Sequence, residues 1–182
     1  MEAPSFIVPS KEITLAKLDL RPPRVSDAEE IFMSYAGNKE ATRYLSWKTK
    51  ENISEVEDFV RRVALGWEAN HSYTWLALEN KSIIGCIAFR PARTGYEIGY
   101  VITPARWGSG LGTELVSGMI AIGLSDPAVQ RIWAYCDTEN RASIKLLEKV
   151  GMEKEGLLKK WGSSPNLGAG PRDQFIYAKI RD

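Results

Sequence analysis

Three glycines within five residues form the most chemically informative stretch of this sequence. Gly108, Gly110 and Gly112 follow an apolar run that ends at Ile102, and a helical pattern begins directly after them. Glycines let backbone N–H groups come close to a ligand, and the N-terminus of a helix carries a partial positive charge. The combination predicts a cradle for a pyrophosphate group.

A glycine stretch of this kind also occurs in P-loops, in dinucleotide-binding folds and in plain tight turns. A phosphate-binding P-loop needs Lys followed by Ser or Thr after the last glycine, whereas Thr113 and Glu114 stand there. A dinucleotide-binding fold needs its third glycine one position after Gly112, where this chain has Thr113. Such a fold also usually carries the motif in the first strand–helix unit of the chain. A tight turn that binds no ligand stays an alternative.

The residue types that bind metals or act as nucleophiles are scarce. His71 is the only histidine, which excludes a His-based catalytic triad and a His-rich metal site. Cys86 and Cys136 lie in apolar runs without the spacing of metal ligands. We therefore expect buried, reduced thiols and no metal.

The composition limits the domain organisation and the classes of partner. The chain has 182 residues, of which 44% are apolar, enough for the core of a single domain spanning residues 1–182. The 24 Lys and Arg against 23 Asp and Glu give a net charge of +1, which predicts binding neither to nucleic acid nor to an anionic membrane. No apolar run approaches the ~20 residues that span a bilayer, and no leader-like segment precedes Lys11, so we expect a soluble, cytoplasmic protein.

The glycine stretch must be positioned by the elements around it. Alternation, helical spacing and turn residues predict first an edge strand over 13–21, a helix capped by Ser26 and Glu29, and a helix from Ser54 to about Asn70. Strands over 73–78, 83–89 and 96–102 follow. The rest of the chain is predicted to form a helix over 110–124, a strand over 131–136, a helix over 140–150 and a last strand over 175–180. A loop from Gly162 to Pro171 is expected to be mobile. This order predicts an α/β (α+β) fold, a mixed sheet with helices on its faces. The tryptophans interpreted as core residues are Trp67, Trp75, Trp133 and Trp161.

A second motif, in which Asn140 and Ser143 are followed by Glu148-Lys149-Val150-Gly151-Met152, makes a family recognisable. With the glycine stretch before it, the chain closely resembles the GNAT N-acetyltransferases from about Ile13 to Ile180. The segments similar to the branch that acetylates ribosomal-protein alanine are Leu20-Arg21-Pro22, Glu97-Ile98-Gly99-Tyr100, Trp107-Gly108-x-Gly110 and Glu155-Gly156. The resemblance implies a central sheet with a splayed parallel strand pair, and acetyl transfer from acetyl-CoA to a primary amine.

The resemblance also implies where acetyl-CoA would bind, in the gap between the strands 96–102 and 131–136. Backbone groups near Val101 and Ile102 would hydrogen-bond the pantetheine arm. Asn140 and Ser143 would line the thioester end, although Asn140 is equally well suited to be a helix N-cap. The residues of the pyrophosphate cradle would be Trp107, Gly108, Ser109, Gly110, Leu111, Gly112 and Thr113.

Two positions depart from the family pattern. Trp107 stands where many relatives have Gln or Arg, which matters little because the cradle consists mainly of backbone. Leu147 stands where many relatives have a tyrosine that protonates the leaving thiolate. Ser143 is therefore the expected proton donor.

The acceptor side of the site follows from the same resemblance. It places Glu97 beside the acceptor amine, as the base that takes the proton directly or through a water. The alternative for Glu97 is an ordinary strand carboxylate in solvent or in an ion pair. A backbone N–H near Ile102 would stabilise the developing oxyanion. Tyr44 and Trp47 would shape the acceptor pocket, or they would only pack against the core.

Three functions stay open on the sequence. An α-amine with a pKa near ~7.7 to 8.0 is easier to deprotonate than Lys near ~10.4, which favours the N-terminus of a protein or peptide as acceptor. A small amine such as a polyamine, an amino acid or an aminoglycoside is the second candidate, and an acidic pocket would favour a polycation. Because Leu147 stands where many relatives have a proton-donating tyrosine, a non-catalytic acyl-CoA-binding module is the third candidate function. A homodimer is left open.

Overall fold

The computed structural model describes residues 6–181 and contains an eight-stranded mixed sheet. Its strands are β1 (Ile13–Thr14), β2 (Asp19–Arg21), β3 (Tyr73–Glu79), β4 (Ser82–Ala92), β5 (Gly95–Ile102), β6 (Arg131–Asp137), β7 (Glu153–Ser163) and β8 (Pro171–Ile180). Their order in space is β1-β2-β3-β4-β5-β6-β8-β7. Only β5 and β6 run parallel, and every other neighbouring pair is antiparallel.

Five α-helices connect these strands within residues 6–181. They are α1 (Ala28–Ile31), α2 (Lys39–Thr42), α3 (Ile53–Glu68), α4 (Leu111–Ser125) and α5 (Arg141–Lys149). A 3₁₀ turn, Val25–Asp27, precedes α1, and one π-helical turn, Phe32–Ala36, follows it. Within residues 6–181, no helix is both long and apolar enough to cross a membrane.

The sheet separates two clusters of buried side chains. Trp75, Phe89 and Met119 belong to the larger cluster, whereas Ile31 and Val60 belong to the smaller one beneath α1 and α3. Along β5 the side chains alternate between the two sides. Ile98 and Ile102 enter the larger cluster and Val101 enters the smaller one, as the predicted alternation requires.

The first part of the chain differs from the prediction in its details. The predicted strand over 13–21 is a pair of short strands, because the chain turns between β1 and β2 and pairs Ile13 with Leu20. Ser26 is not a helix N-cap and lies inside the 3₁₀ turn. The carboxylate of Asp27 caps that turn instead, accepting from the backbone N–H of Arg24 at 2.7 Å.

The second predicted helix begins slightly earlier than expected. Its N-cap is Asn52, whose side chain accepts from the backbone N–H of Glu55 at 3.1 Å, so Ser54 already lies within the helix. The helix then buries Val56, Val60, Val63 and Trp67 on one face, as the spacing predicted.

The second half of the chain contains a strand that the sequence patterns did not reveal. The strand β7 lies at the edge of the sheet and pairs only with β8, so most of its side chains face solvent and their polarity does not alternate. It carries Trp161, which is 60% exposed, and the prediction of a core residue was wrong. Trp133 is half-buried, whereas Trp67 and Trp75 are buried as predicted.

Two further expectations concern the cysteines and the last loop. Cys136 is buried and Cys86 is partly buried, and burial raises the pKa of each thiol to about 11. Because the last strands extend to Ser163 and from Pro171, the predicted loop of residues 162–171 shortens to residues 164–170.

Candidate active site

The parallel strands β5 and β6 are paired along only the first part of their length. The pairs are Gly95 with Arg131, Tyr96 with Ile132 and Glu97 with Trp133. Beyond this point β5 stays paired with β4, and β6 stays paired with β8. The two strands separate while each keeps its other neighbour, so a gap opens in the middle of the sheet. The predicted splayed strand pair is confirmed.

A cavity of about 460 Å³ lies at this gap. This volume is within the usual range for small-ligand sites. The predicted site residues that line it are Tyr44, Trp47, Glu97, Val101, Asn140 and Ser143. They come from the segment after α2, from β5 and from the beginning of α5, so the fold brings together side chains from three separate parts of the sequence.

Glu97 lies in the cavity wall beside an arginine. Its carboxylate accepts a charged hydrogen bond from Arg90 at 3.0 Å. A Cβ added at Gly99 would lie 3.0 Å from the Arg90 guanidinium, so Arg90 fills the space that the glycine leaves open. Glu97 is thus both a cavity residue and one partner of an ion pair.

A pair of hydroxyl groups lies where α5 begins. The Tyr100 and Ser143 hydroxyl oxygens are 2.7 Å apart, and both residues line the cavity. Burial raises the pKa of the Tyr100 phenol above its usual value, so the phenol keeps its proton at neutral pH. The Asn140 side chain accepts from the backbone N–H of Ser143 at 3.1 Å, which makes Asn140 the N-cap of α5.

The other carboxylate of the cavity belongs to Asp137, at the end of β6. Its side chain is fully buried and forms an ion pair with Arg172. One of its oxygens also accepts from the backbone N–H of Glu139 at 2.9 Å. Lys50 and Arg62 line the same cavity, so cationic side chains accompany both carboxylates.

The glycine stretch forms an open turn beyond the end of β5. Gly108 and Gly110 have φ angles of +74° and +87°, which L side chains rarely adopt. A Cβ added at either glycine would meet no atom within 4 Å. Gly110 is the N-cap of α4 and provides no side chain to cap its first N–H groups. The Leu111 N–H has a long hydrogen bond to Ser109 Oγ at 3.4 Å. Open space at the positive end of a helix suits a pyrophosphate.

The other residues of the predicted cradle differ in their burial. Leu111 is buried, whereas Trp107 and Ser109 are exposed. Gly112 allows α4 to lie close to α5, because an added Cβ would be 3.0 Å from Leu146 Cδ1. Thr113 is half-buried in the first turn of α4. None of these residues lines the cavity, which places the predicted cradle beside it rather than within it.

Ile102 occupies a different position from its neighbour Val101. Its side chain belongs to the core, and its carbonyl accepts from the Trp107 indole N–H at 2.8 Å. The carbonyl of Ile102 therefore already has a donor, while Val101 lines the cavity.

Several cavity residues were not predicted from the sequence. Tyr100 and Arg90 are strand residues whose importance depends on partners from other elements, Ser143 and Glu97. The titratable phenol of Tyr100, three positions after Glu97, was the signal available in the sequence. Trp161, which lines the cavity, was misassigned to the core. Across the described residues, no three His, Cys, Asp or Glu side chains are grouped as a metal site would need.

Comparisons with known proteins agree with this geometry. The sequence profile described as "Acetyltransferase (GNAT) domain" matches residues 17–153. A relative named "Uncharacterized N-acetyltransferase YoaA", from Bacillus subtilis, is 33% identical over 170 residues, which cover 91% of this chain and 94% of the relative.

Solved structures share the same fold at lower sequence identity. The ribosomal-protein-S5-alanine acetyltransferase of Vibrio fischeri superimposes with a TM-score of 0.80 at 19% identity, covering 95% of this chain and 98% of that one. The microcin C7 self-immunity acetyltransferase MccE, in complex with acetyl-CoA and AMP, superimposes with a TM-score of 0.81 at 22% identity, covering 91% of this chain and 93% of that one.

Proposed function

Because this chain belongs to the GNAT family and is an acetyl-CoA-dependent N-acetyltransferase, we propose that its acceptor is the N-terminal α-amine of a protein or peptide. The observation that carries the proposal is the pairing of the cavity's carboxylates. Glu97 pairs with Arg90, and Asp137 pairs with Arg172. A polyamine or an aminoglycoside would need several free carboxylates, and the described part of this cavity offers none that lacks a cationic partner. A single amine on a peptide fits a cavity whose carboxylates are already paired better.

Glu97 is the proposed base. An α-amine titrates near ~7.7 to 8.0, so a carboxylate that takes one proton as the amine attacks is sufficient at neutral pH. The side chain of Glu97 is 33% exposed, which leaves it accessible from the cavity. Arg90 keeps the carboxylate oriented, and the proton passes to a Glu97 oxygen directly or through one water.

Ser143 is the proposed donor of the proton that the leaving thiolate needs. A serine hydroxyl alone is a weak acid, but the Tyr100 hydroxyl, 2.7 Å away, keeps its own proton and can donate a hydrogen bond to the Ser143 oxygen while Ser143 gives its proton to the thiolate. This pair of hydroxyls would supply the acidic group that a leucine cannot provide. Leu147 itself is fully buried in the core. The chain therefore does not need the tyrosine found in many relatives at that position.

The co-substrate acetyl-CoA supplies the acetyl thioester. Gly108, Gly110 and the first N–H groups of α4 would hold its pyrophosphate, because the open turn fits that group. The backbone of Val101 would face the pantetheine arm. A backbone N–H near Ile102 would stabilise the negative charge that develops on the acetyl oxygen. Asn140 would fix the start of α5 so that Ser143 faces the thioester end.

Mass spectrometry of amine and peptide libraries, incubated with the enzyme and acetyl-CoA, tests the acceptor assignment. We expect one acetyl group on the α-amine of peptides, located by fragmentation, and none on internal lysines. Acetylation of polyamines, amino acids or aminoglycosides alone would replace this proposal by the small-molecule one. Binding of acetyl-CoA without transfer to any amine would indicate a non-catalytic module.

A further inference from the structure

The Asn166 side chain makes most of the hydrogen bonds that join the loop between β7 and β8 to α2 and the segment after it. The Asn166 carbonyl oxygen accepts from the backbone N–H of Thr49 at 2.9 Å. Its amide nitrogen donates to the carbonyls of Thr42 at 2.7 Å and of Trp47 at 2.9 Å. A primary amide has two donors, and both are used here on backbone carbonyls.

A second contact supports the same junction. Ser164 is fully buried, and its hydroxyl donates to the carbonyl of Tyr44 at 3.4 Å. Thr42, whose carbonyl Asn166 holds, is also fully buried. A buried carbonyl that loses its donor destabilises the conformation in which it is buried. The junction is therefore a fixed contact between two parts of the chain that are far apart in sequence.

Both parts that meet at this junction line the cavity, at the end where the proposed function places the acceptor. The segment 43–50 contributes Tyr44, Trp47 and Lys50 to the cavity wall, and the end of β7 contributes Trp161. Residues 43–50 form neither helix nor strand, so the hydrogen bonds of Asn166 replace the support that a regular element would give.

We propose that Asn166 is a positioning residue that fixes the acceptor wall of the cavity and so determines affinity for the acceptor. It rests on the proposed function, because the acceptor is taken to enter between Trp47 and Trp161. The glycine turn that would hold acetyl-CoA makes no contact with this junction in the hydrogen bonds of the described residues. Loss of the Asn166 amide should therefore affect the two substrates unequally.

Asn166→Ala in the full chain tests this inference by steady-state kinetics with an α-amine peptide that the wild type acetylates. We expect the KM for the peptide to rise about tenfold, equivalent to ~1.4 kcal/mol, while kcat and the affinity for acetyl-CoA change much less. Gly170→Ala, in the same loop, is the matched control, because its added Cβ meets no atom within 4 Å. An unchanged peptide KM, or an equal loss of acetyl-CoA affinity, would overturn the inference.

Hydrogen exchange of the free enzyme provides a readout that needs no acceptor. In Asn166→Ala the backbone amides of residues 43–50 should exchange faster than in the wild type, whereas those of α4 should not. Asn166→Ser, a smaller polar change, serves if the alanine variant does not fold. Equal exchange over 43–50 in variant and wild type would refute the positioning role. A wild type that acetylates no α-amine would instead refute the proposed function and leave this exchange result standing.

Discussion

At the scale of single residues, Glu97 is both one partner of an ion pair and part of the cavity wall. Arg90 keeps its carboxylate oriented, whereas the cavity leaves the carboxylate accessible. The ion pair is partly exposed on both sides, with 50% and 33% of the two side chains accessible, so it contributes only about 0 to 1 kcal/mol to stability. Replacing Glu97 should therefore change activity far more than folding.

Glu97→Gln should lower kcat/KM by about 10²-fold at pH 6, and the loss should shrink as the pH rises towards 9. The reason is that the acceptor α-amine is mainly protonated below its pKa of ~7.7 to 8.0 and then depends on the base. A pH profile of kcat/KM for both enzymes measures this. Glu155→Gln is the control, because Glu155 also pairs with an arginine, Arg131, but lies outside the cavity. A loss of equal size at every pH would mean that Glu97 only positions the acceptor.

The hydroxyl pair predicts a different pattern of loss. Ser143→Ala should lower kcat by about 10² to 10³-fold while changing the Kd for acetyl-CoA little, because general acid catalysis acts on the reaction step. Tyr100→Phe should lower kcat as well, and the double variant should cost no more than the larger single loss if the two hydroxyls act as one unit. Tyr177→Phe, which removes a hydroxyl bonded to Glu148 at 3.0 Å, is the control. Unchanged kcat in Ser143→Ala would leave Ser143 as an ordinary helix residue.

Residue types and motif spacing predicted which residues would gather in the cavity better than they predicted how those residues pair. Glu97, Val101, Asn140 and Ser143 were expected together and do line one cavity. Their partners Arg90 and Tyr100, and the junction at Asn166, were not foreseen. Each of these contacts joins elements distant in sequence, and single-sequence patterns describe only the face on which a side chain lies.

At the scale of elements, the turn between β5 and α4 combines left-handed backbone with free space. A side chain at Gly110 would meet no protein atom, so its cost comes from the φ angle of +87° alone, about 1 to 2 kcal/mol. The backbone conformation therefore requires glycine here, and the open space beside it is where the proposed pyrophosphate would lie.

Gly110→Glu should abolish the rise in Tm that acetyl-CoA produces, because a carboxylate would block and repel the pyrophosphate. At about 100 times its Kd, acetyl-CoA stabilises a protein by ~2.7 kcal/mol, which corresponds to a rise of roughly 5 to 10 °C for a domain of this size. Thermal melts with and without acetyl-CoA measure the difference. Gly151→Glu is the control, since Gly151 has a φ of +79° and equally open surroundings but lies at the end of α5. If Gly110→Glu keeps the full rise, the cradle is elsewhere.

Elements with strong periodicity were predicted from the sequence, and elements defined by tertiary contacts were not. The strands β3 to β6 and the helices α3 to α5 were placed to within a few residues, because each carries apolar side chains that are buried in the core, on both faces in the case of β3. The strand β7 was missed because it lies at the sheet edge, where mostly polar side chains are tolerated on both faces. The first helix, α1 with its π-helical turn, was predicted, but its cap was not, since Asp27 rather than Ser26 caps the preceding turn.

At the scale of the whole molecule, the gap that forms the site also divides the sheet. The strands β1 to β5 lie on one side and β6 to β8 on the other, and three residue pairs between β5 and β6 join them within the sheet. The core cluster around Trp75 and Ile132 continues across the junction. The two parts of the sheet are therefore held together by the pairing at the start of β5 and β6, while the same two strands separate farther along.

Gly95 lies directly against Arg131 of the other part and has no room for a side chain. A Cβ added there would lie 1.8 Å from the Arg131 carbonyl oxygen, which is backbone and cannot rotate away. Gly95→Ala must therefore push β5 and β6 apart where they need to pair, and we expect a loss of about 3 kcal/mol in the free energy of unfolding, the upper end of overpacking costs. Urea denaturation of the two proteins measures the loss. Gly170→Ala, whose added Cβ meets nothing, should cost less than about 0.5 kcal/mol. If the two variants were equally stable, the sheet would have another way to hold its parts together, and the gap between β5 and β6 would not depend on this contact.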